Sequence, residues 1–297
     1  MSLWVLFTLA AAALQTVRFM LQKQLKGAGL STGGATFSRF LFGAPIAAAL
    51  ALLALLVTGQ RPGLPGADFW AYVVLGGTCQ IVATFLTVAL FALRNFAVGV
   101  AFTKTETVQV ALFSALILGE AASLPGWIAI GVGLAGVLLL SKGPEAGAPL
   151  VGRPMVYGIL AGGLFGLSSI GYRGATLALE PLPFFLRALL ALAAATLCQT
   201  AAMSLWLRAV EPGEITRVLS RWRRTIMVGI TGALGSLGWF AAFSLQNAAY
   251  VRVLGQVEIV FTLIASALVF YERLRGREAA GVALVVLSVV VLVLAAA

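Results

Sequence analysis

The chain has 297 residues, 61% of them hydrophobic and 10% charged, with a mean hydropathy of +1.04. A soluble domain carries about a quarter charged residues, so a water-soluble globule is excluded and a membrane protein is indicated. The net charge of +10 would suggest a nucleic-acid partner in a soluble protein, but here Lys and Arg lie mostly between apolar runs, where lipid headgroups meet them, and nucleic acid is set aside.

In chain order, apolar spans are predicted at Leu3 to Leu25, Gly33 to Val57, Phe69 to Ala92, Ala97 to Gly119 and Leu124 to Leu140. A second set runs Met155 to Leu177, Leu182 to Leu207, Thr225 to Leu245, Ala249 to Tyr271 and Ala279 to Ala296. Most reach the ~20 residues that a bilayer demands, and an open sheet edge in lipid would leave backbone groups unpaired, so each span reads as a helix. The first run lacks the basic flank and small-residue cleavage site of a removable signal and is expected to stay as a helix. Polar Gly/Pro-rich breaks fall at Gln60 to Gly66 and Ser141 to Pro154. The charged segment Arg208 to Arg224 is expected to lie along the membrane surface.

A repeat runs through these spans at a distance of 152 residues: Glu106 falls on Glu258, Glu120 on Glu272, Asn95 on Asn247, Trp70 on Trp222 and Gly77 on Gly229. The expected organisation is a first five-helix repeat over 1–141, a connection over 142–154 and a second repeat over 155–297. An odd number of spans per copy inverts the second copy, and inverted repeats mark secondary transporters. The fold class is therefore all-α and integral to the membrane, with ten transmembrane helices in two inverted five-helix repeats. Lys and Arg concentrate in the odd-numbered connections, which places those loops in the cytoplasm and both termini outside, in a bacterial inner membrane.

The segments Lys104 to Glu120 (KTETVQVALFSALILGE) and Gln256 to Glu272 (QVEIVFTLIASALVFYE), with the five-plus-five layout, resemble the EamA branch of the drug/metabolite transporter superfamily. That family shows in each half an acid followed by proline near the start of the fourth helix, then a Gly-Glu pair before the fifth. Glu106, Glu258, Gly119 and Glu120 match; Thr107 and Ile259 stand at the proline positions and Tyr271 at the second glycine. The resemblance implies a ten-helix carrier with its cavity walled by helices one to four and six to nine, helices five and ten standing aside.

Candidate site residues follow from what lipid excludes. Arg18, Arg39, Lys104, Glu106, Arg187, Arg252 and Glu258 lie within spans, each costing on the order of 3 kcal/mol at the membrane centre if unpaired. Arg39 and Arg187 hold matching places in Phe37-Ser38-Arg39 and Phe185-Leu186-Arg187, as snorkelling residues near helix ends or as cavity-lining cations. Glu106 and Glu258 either tie their helices to an arginine or carry a proton. Glu120 and Glu272, beside short turns, read as structural. Gln15, Gln22, Thr103, Gln109 and Gln256 offer hydrogen bonds, with Glu106 and Gln109 on one helical face and Arg252 and Gln256 on another. Tyr172 and Trp239 either stack on a ligand or serve packing. Glycines 229, 232, 235 and 238 make a small-residue packing seam on helix eight.

No histidine is present, which excludes His-based acid–base chemistry; Cys79 and Cys198 lack CxxC spacing, and no nucleophile–base or metal set replaces them. Neither an enzyme nor a cofactor is expected. Five deep cations against two deep anions favour a carboxylate substrate, so an exporter of amino acids or related small carboxylate metabolites is the first expectation. Proton-coupled efflux of lipophilic cations at Glu106 or Glu258 is the alternative. The expected partners are a small-molecule substrate, the lipid bilayer and, if an acid couples, protons; the oligomeric state is open, and a monomer is plausible.

Overall fold

The structure is a computed structural model and describes residues 2–90, 103, 106–140, 153–269 and 276–295. The first half contains α1 (Leu3–Gly27), α2 (Thr32–Thr58), α3 (Ala67–Leu90), α4 (Glu106–Leu118) and α5 (Leu124–Leu140). The second contains α6 (Arg153–Leu177), α7 (Phe184–Val210), a short helix Glu214–Ser220, α8 (Trp222–Leu245), α9 in two pieces and α10 (Gly276–Ala295). The pieces of α9 are α9a (Ala248–Leu254) and α9b (Glu258–Val269), joined by a 3-10 turn at Gly255–Val257. No strand occurs among the described residues.

Among these helices α1, α2, α3, α7 and α8 are each long and apolar enough to cross a membrane. The 27 residues of α2 span ~40 Å at 1.5 Å per residue, more than the ~30 Å hydrocarbon layer. Its ends are set locally: the Ser31 hydroxyl accepts from the Gly34 N–H at 2.9 Å, and Gly59, at φ +64°, turns the chain out in the left-handed region.

The repeat distance survives in the helix boundaries. Thr32 and Phe184 are helix starts 152 residues apart. Packing obeys a pseudo-twofold exchange of halves: α1 lies on α8 as α6 lies on α3, while α2 meets α7, α4 meets α9a and α5 meets α10, each its own equivalent. Halves related this way share one isologous contact, so neither folds as an independent lobe. The α5–α10 pair stands beside the bundle, and α1, α3, α6, α8 and α9a close around its centre.

The glycine seam of α8 is where α1 and α2 come close. At Gly232 a Cβ would sit 2.9 Å from Cγ of Arg39 and 3.4 Å from Cδ of Arg18, so the bare backbone is what lets two arginine stems cross α8 side by side.

Candidate functional site

At the centre lies a small cavity lined by Gln15 of α1, Gln80 of α3, Phe165 and Tyr172 of α6, Ser236, Trp239, Phe240 and Phe243 of α8, and Arg252 of α9a. Among the described residues Arg252 is the one charged residue that lines it. Its Nε donates to the Ser169 hydroxyl at 2.6 Å, its Nη1 lies 3.4 Å from Glu106 Oε1, and its guanidinium sits 4.7 Å from the Trp239 ring centroid and 5.6 Å from that of Phe243. Both members of the ion pair are about 95% buried. A guanidinium so placed is held on one edge by an acid and a hydroxyl and on its face by aromatic rings, the setting in which a planar cation presents remaining donors to a ligand.

Glu258 is built differently. Its Oε2 accepts from Gln15 Nε2 at 3.0 Å, and Gln15 Oε1 in turn accepts from the Trp239 indole N–H at 3.1 Å. The two acids stand at equivalent positions on α4 and α9b, 152 residues apart. Arg252, in the last turn of α9a, has the complementary preference.

The 3-10 turn explains where its neighbours go. Three residues per turn rather than 3.6 rotate the chain between Arg252 and Glu258, so the face expected to carry Arg252 with Gln256 is broken. Gln256 points instead at α5 and α10, where a Cβ on Gly133 would meet its Oε1 at 2.7 Å, and it does not line the cavity. Gly255 gives room for Trp239, whose Cη2 would stand 2.7 Å from a Cβ there. A broken helix flanked by opposite charges at the bilayer midplane is the arrangement transporters use to offer polar groups to a ligand.

The other predicted residues distribute as follows. Arg39 donates to the Thr84 hydroxyl at 3.2 Å and to Ser236, a cavity residue, at 2.9 Å. Arg18 is fully interior; its Nη1 donates to Gln22 at 3.2 Å, its guanidinium covers the Phe19 ring at 4.3 Å, and its Nη2 has no hydrogen-bond partner. Gln109 reaches α6, donating to the Ile159 carbonyl at 3.5 Å beside Gly163. Tyr172 lines the cavity and donates its hydroxyl to Gln80 at 2.7 Å. Lys104 and Glu272 lie outside the described residues.

Arg187 is not the partner of Arg39. Because α2 and α7 align at 152 residues, Arg187 is the fourth residue of α7 while Arg39 is the eighth of α2, a full turn deeper. Arg187 accordingly ties one end of the bundle, 2.6 Å from Glu180 and 3.4 Å from the Ser244 carbonyl. At that same end Arg173 clasps Glu120 and donates to the Phe243 carbonyl at 2.5 Å, and Asn247 donates to the Glu120 carbonyl at 3.2 Å. The opposite end is tied by Glu214, whose Oε1 accepts the Ser31 N–H at 2.7 Å, by a Ser31 to Glu211 hydrogen bond and by Arg221 on the Ala28 carbonyl. Each end thus has a polar tie between the two halves.

Sequence reasoning missed Ser169, Ser236, Gln80, Gln199 and Phe243. Gln80 and Gln199 did carry a signal, as amides in the middle of apolar runs; the serines are too common in transmembrane helices to stand out.

A model of the EamA-like transporter family matches residues 2–142 and 153–294. No curated protein sequence matches the chain. A crystal structure described only as that of a protein is similar in fold, with 19% identity, a TM-score of 0.72, and coverage of 99% of this chain and 97% of that one. With both halves matched, the chain belongs to the EamA-like transporter family, in the EamA branch of the drug/metabolite transporter superfamily.

Proposed function

We propose that this multi-pass membrane transporter is a secondary active exporter of amino acids or related small carboxylate metabolites, working by alternating access of its inverted halves across a bacterial inner membrane. The observation that carries the substrate reading is Arg252 at the cavity wall, paired with Glu106, in an interior that also buries Arg18, Arg39 and Glu258. A ligand carboxylate can take over the Nη1 edge that Glu106 holds at 3.4 Å, a distance longer than a strong charge-assisted bond. Exchange of one carboxylate for another on Arg252 then frees Glu106 and loosens α4 from α9a. The polar ties at the two ends open in turn, Glu120–Arg173 on the outer side and Glu214–Ser31 on the cytoplasmic side.

Counterflow into liposomes tests the reading: protein loaded with an unlabelled amino acid panel should accumulate the labelled counterpart, and Arg252→Gln should abolish it. The five aromatic rings around the cavity favour the second reading, efflux of lipophilic organic cations with Glu106 or Glu258 as countercharge. Counterflow of tetraphenylphosphonium without counterflow of any carboxylate would select it. For orientation, an impermeant thiol reagent should label Ser2→Cys from outside intact cells and spare Ser220→Cys.

A further inference from the structure

The wall of the central cavity carries polar groups besides Arg252, and their protein neighbours decide which of them can still bond to a ligand. Gln80 of α3 and Ser236 of α8 both line it, and each keeps a small accessible surface, 8% and 6%.

The orientation of Gln80 is anchored at a backbone carbonyl. Gln199 Nε2 donates to the Gly77 carbonyl at 3.1 Å, and a carbonyl can only accept, so this end of the Gln199 amide is its nitrogen. The same Nε2 donates to Gln80 at 3.1 Å and the Tyr172 hydroxyl donates to Gln80 at 2.7 Å, so the Gln80 atom that faces them is its oxygen. Gln80 Nε2 therefore points the other way. It bonds to no described atom yet keeps accessible surface, unlike Gln199 Oε1 and both amide atoms of Gln256, which are sealed. The space open to Gln80 is the cavity.

Ser236 is set by a charge. Its Oγ accepts from Arg39 Nη2 at 2.9 Å, and because a guanidinium cannot accept, the serine proton has to go elsewhere. Ser169, Thr231 and Ser244 turn their hydroxyls back to the carbonyl four residues earlier in their own helices. Ser236 gives its proton to no described acceptor and stands on the cavity wall. The side-chain oxygens of that wall are meanwhile engaged: Gln80 Oε1 by Tyr172 and Gln199, Gln15 Oε1 by Trp239, and Ser236 Oγ by Arg39. What the wall has left to offer is donors.

We propose that Gln80 and Ser236 determine specificity together with Arg252, as three donors that gather on one carboxylate, with Arg39 the positioning residue that turns the Ser236 proton into the cavity. A carboxylate has about four lone-pair sites and takes charge-assisted bonds from all three. A primary amide of the same shape sets its NH2 against at least one of these donors and leaves it unpaired. The proposal rests on the carboxylate reading above and adds how the cavity tells an acid from its neutral isostere.

The test uses phenylacetate and phenylacetamide, whose common ring suits the aromatic wall of Phe165, Trp239 and Phe243. Apparent Kd is read from the ligand-dependent unfolding temperature of the purified protein in detergent. The parent should bind the acid at least about ten-fold more tightly than the amide. Ser236→Ala and Gln80→Glu should each cut that ratio several-fold, the latter because glutamate keeps an oxygen for Tyr172 and Gln199 but loses the amide donor. Arg39→Gln should cut it as well without touching the cavity, since an amide can accept the serine proton; an unchanged ratio there removes the positioning role. Damage to packing alone would weaken acid and amide alike, so a ratio unchanged in both Ser236→Ala and Gln80→Glu overturns the proposal. Should Gln80→Glu fail to fold, Gln80→Met removes the same donor and is judged by the same ratio. A parent that binds the acid no better than the amide, including one that binds neither, also overturns it. The carboxylate reading falls separately, on absence of amino acid counterflow in the parent.

Discussion

Glu106 and Glu258 occupy the same place in the two repeats, yet Glu106 forms an ion pair with Arg252, whereas Glu258 accepts a hydrogen bond from Gln15 and lies in the field of Arg18. The repeat fixes where a carboxylate stands, and the partners that happen to face it fix what it can do. A carboxylate opposite a buried arginine is a structural counterion as well as a candidate site, and its removal leaves a charge stranded. A carboxylate opposite an amide can exchange its proton with less disturbance, since the amide bonds to either form.

The widest separation between the two acids is expected in stability. Glu106→Gln or Arg252→Gln alone strands one buried charge and should cost about 3–5 kcal/mol, with transport lost in both. The double variant removes both charges and should regain most of the unfolding temperature in detergent without regaining counterflow. Two singles as stable as the parent would mean the pair contributes nothing beyond its location.

Glu258→Gln keeps an acceptor for Gln15 and should cost less stability than Glu106→Gln. Its effect belongs to coupling: pH-driven transport should be abolished while exchange of labelled for unlabelled substrate survives. If exchange fails as well, Glu258 binds substrate rather than a proton; normal pH-driven transport would leave it a packing partner.

Gly255→Ala probes the turn that precedes Glu258. The added Cβ would stand 2.7 Å from Trp239, displacing the ring that backs Arg252 and donates to Gln15. Overpacking of this kind costs roughly 1–3 kcal/mol, and the unfolding temperature should fall accordingly. An unchanged temperature would show that Trp239 has a second position available.

Much of this was legible in the sequence, for definite reasons. Apolar length is a direct consequence of bilayer thickness, which is why the predicted span Gly33 to Val57 lies one residue inside the observed helix Thr32–Thr58 at each end. The repeat of Glu106 on Glu258 survived because few residues are acidic in lipid, so coincidence is rare. What failed was periodicity across a break: the expected Arg252–Gln256 face assumed 3.6 residues per turn through Gly255–Val257, and a 3-10 turn sends Gln256 to α5 and α10. The matching of Arg39 with Arg187 failed by one turn, since the local Phe-x-Arg likeness outweighed the 152-residue register that α2 and α7 keep. The pairing of Gln15 with Glu258, separated by 243 residues, had no local signal at all.

The smallest expected effect tests whether Trp239 joins the two acids into one unit. Its indole N–H holds Gln15 at 3.1 Å on the Glu258 side, while its ring lies 4.7 Å from Arg252 on the Glu106 side. Trp239→Phe keeps an aromatic face but removes the donor, so Gln15 loses one partner and its grip on Glu258 loosens. The expected stability loss is about 1 kcal/mol, the net value of one hydrogen bond, with a slightly weaker cation–π contact to Arg252. If the indole couples the halves of the site, the losses from Trp239→Phe and Glu258→Gln should be non-additive in a double-mutant cycle of unfolding temperature. Strict additivity would mean that Gln15 keeps its place without the indole, and that the Glu106–Arg252 and Glu258–Gln15 pairs act separately.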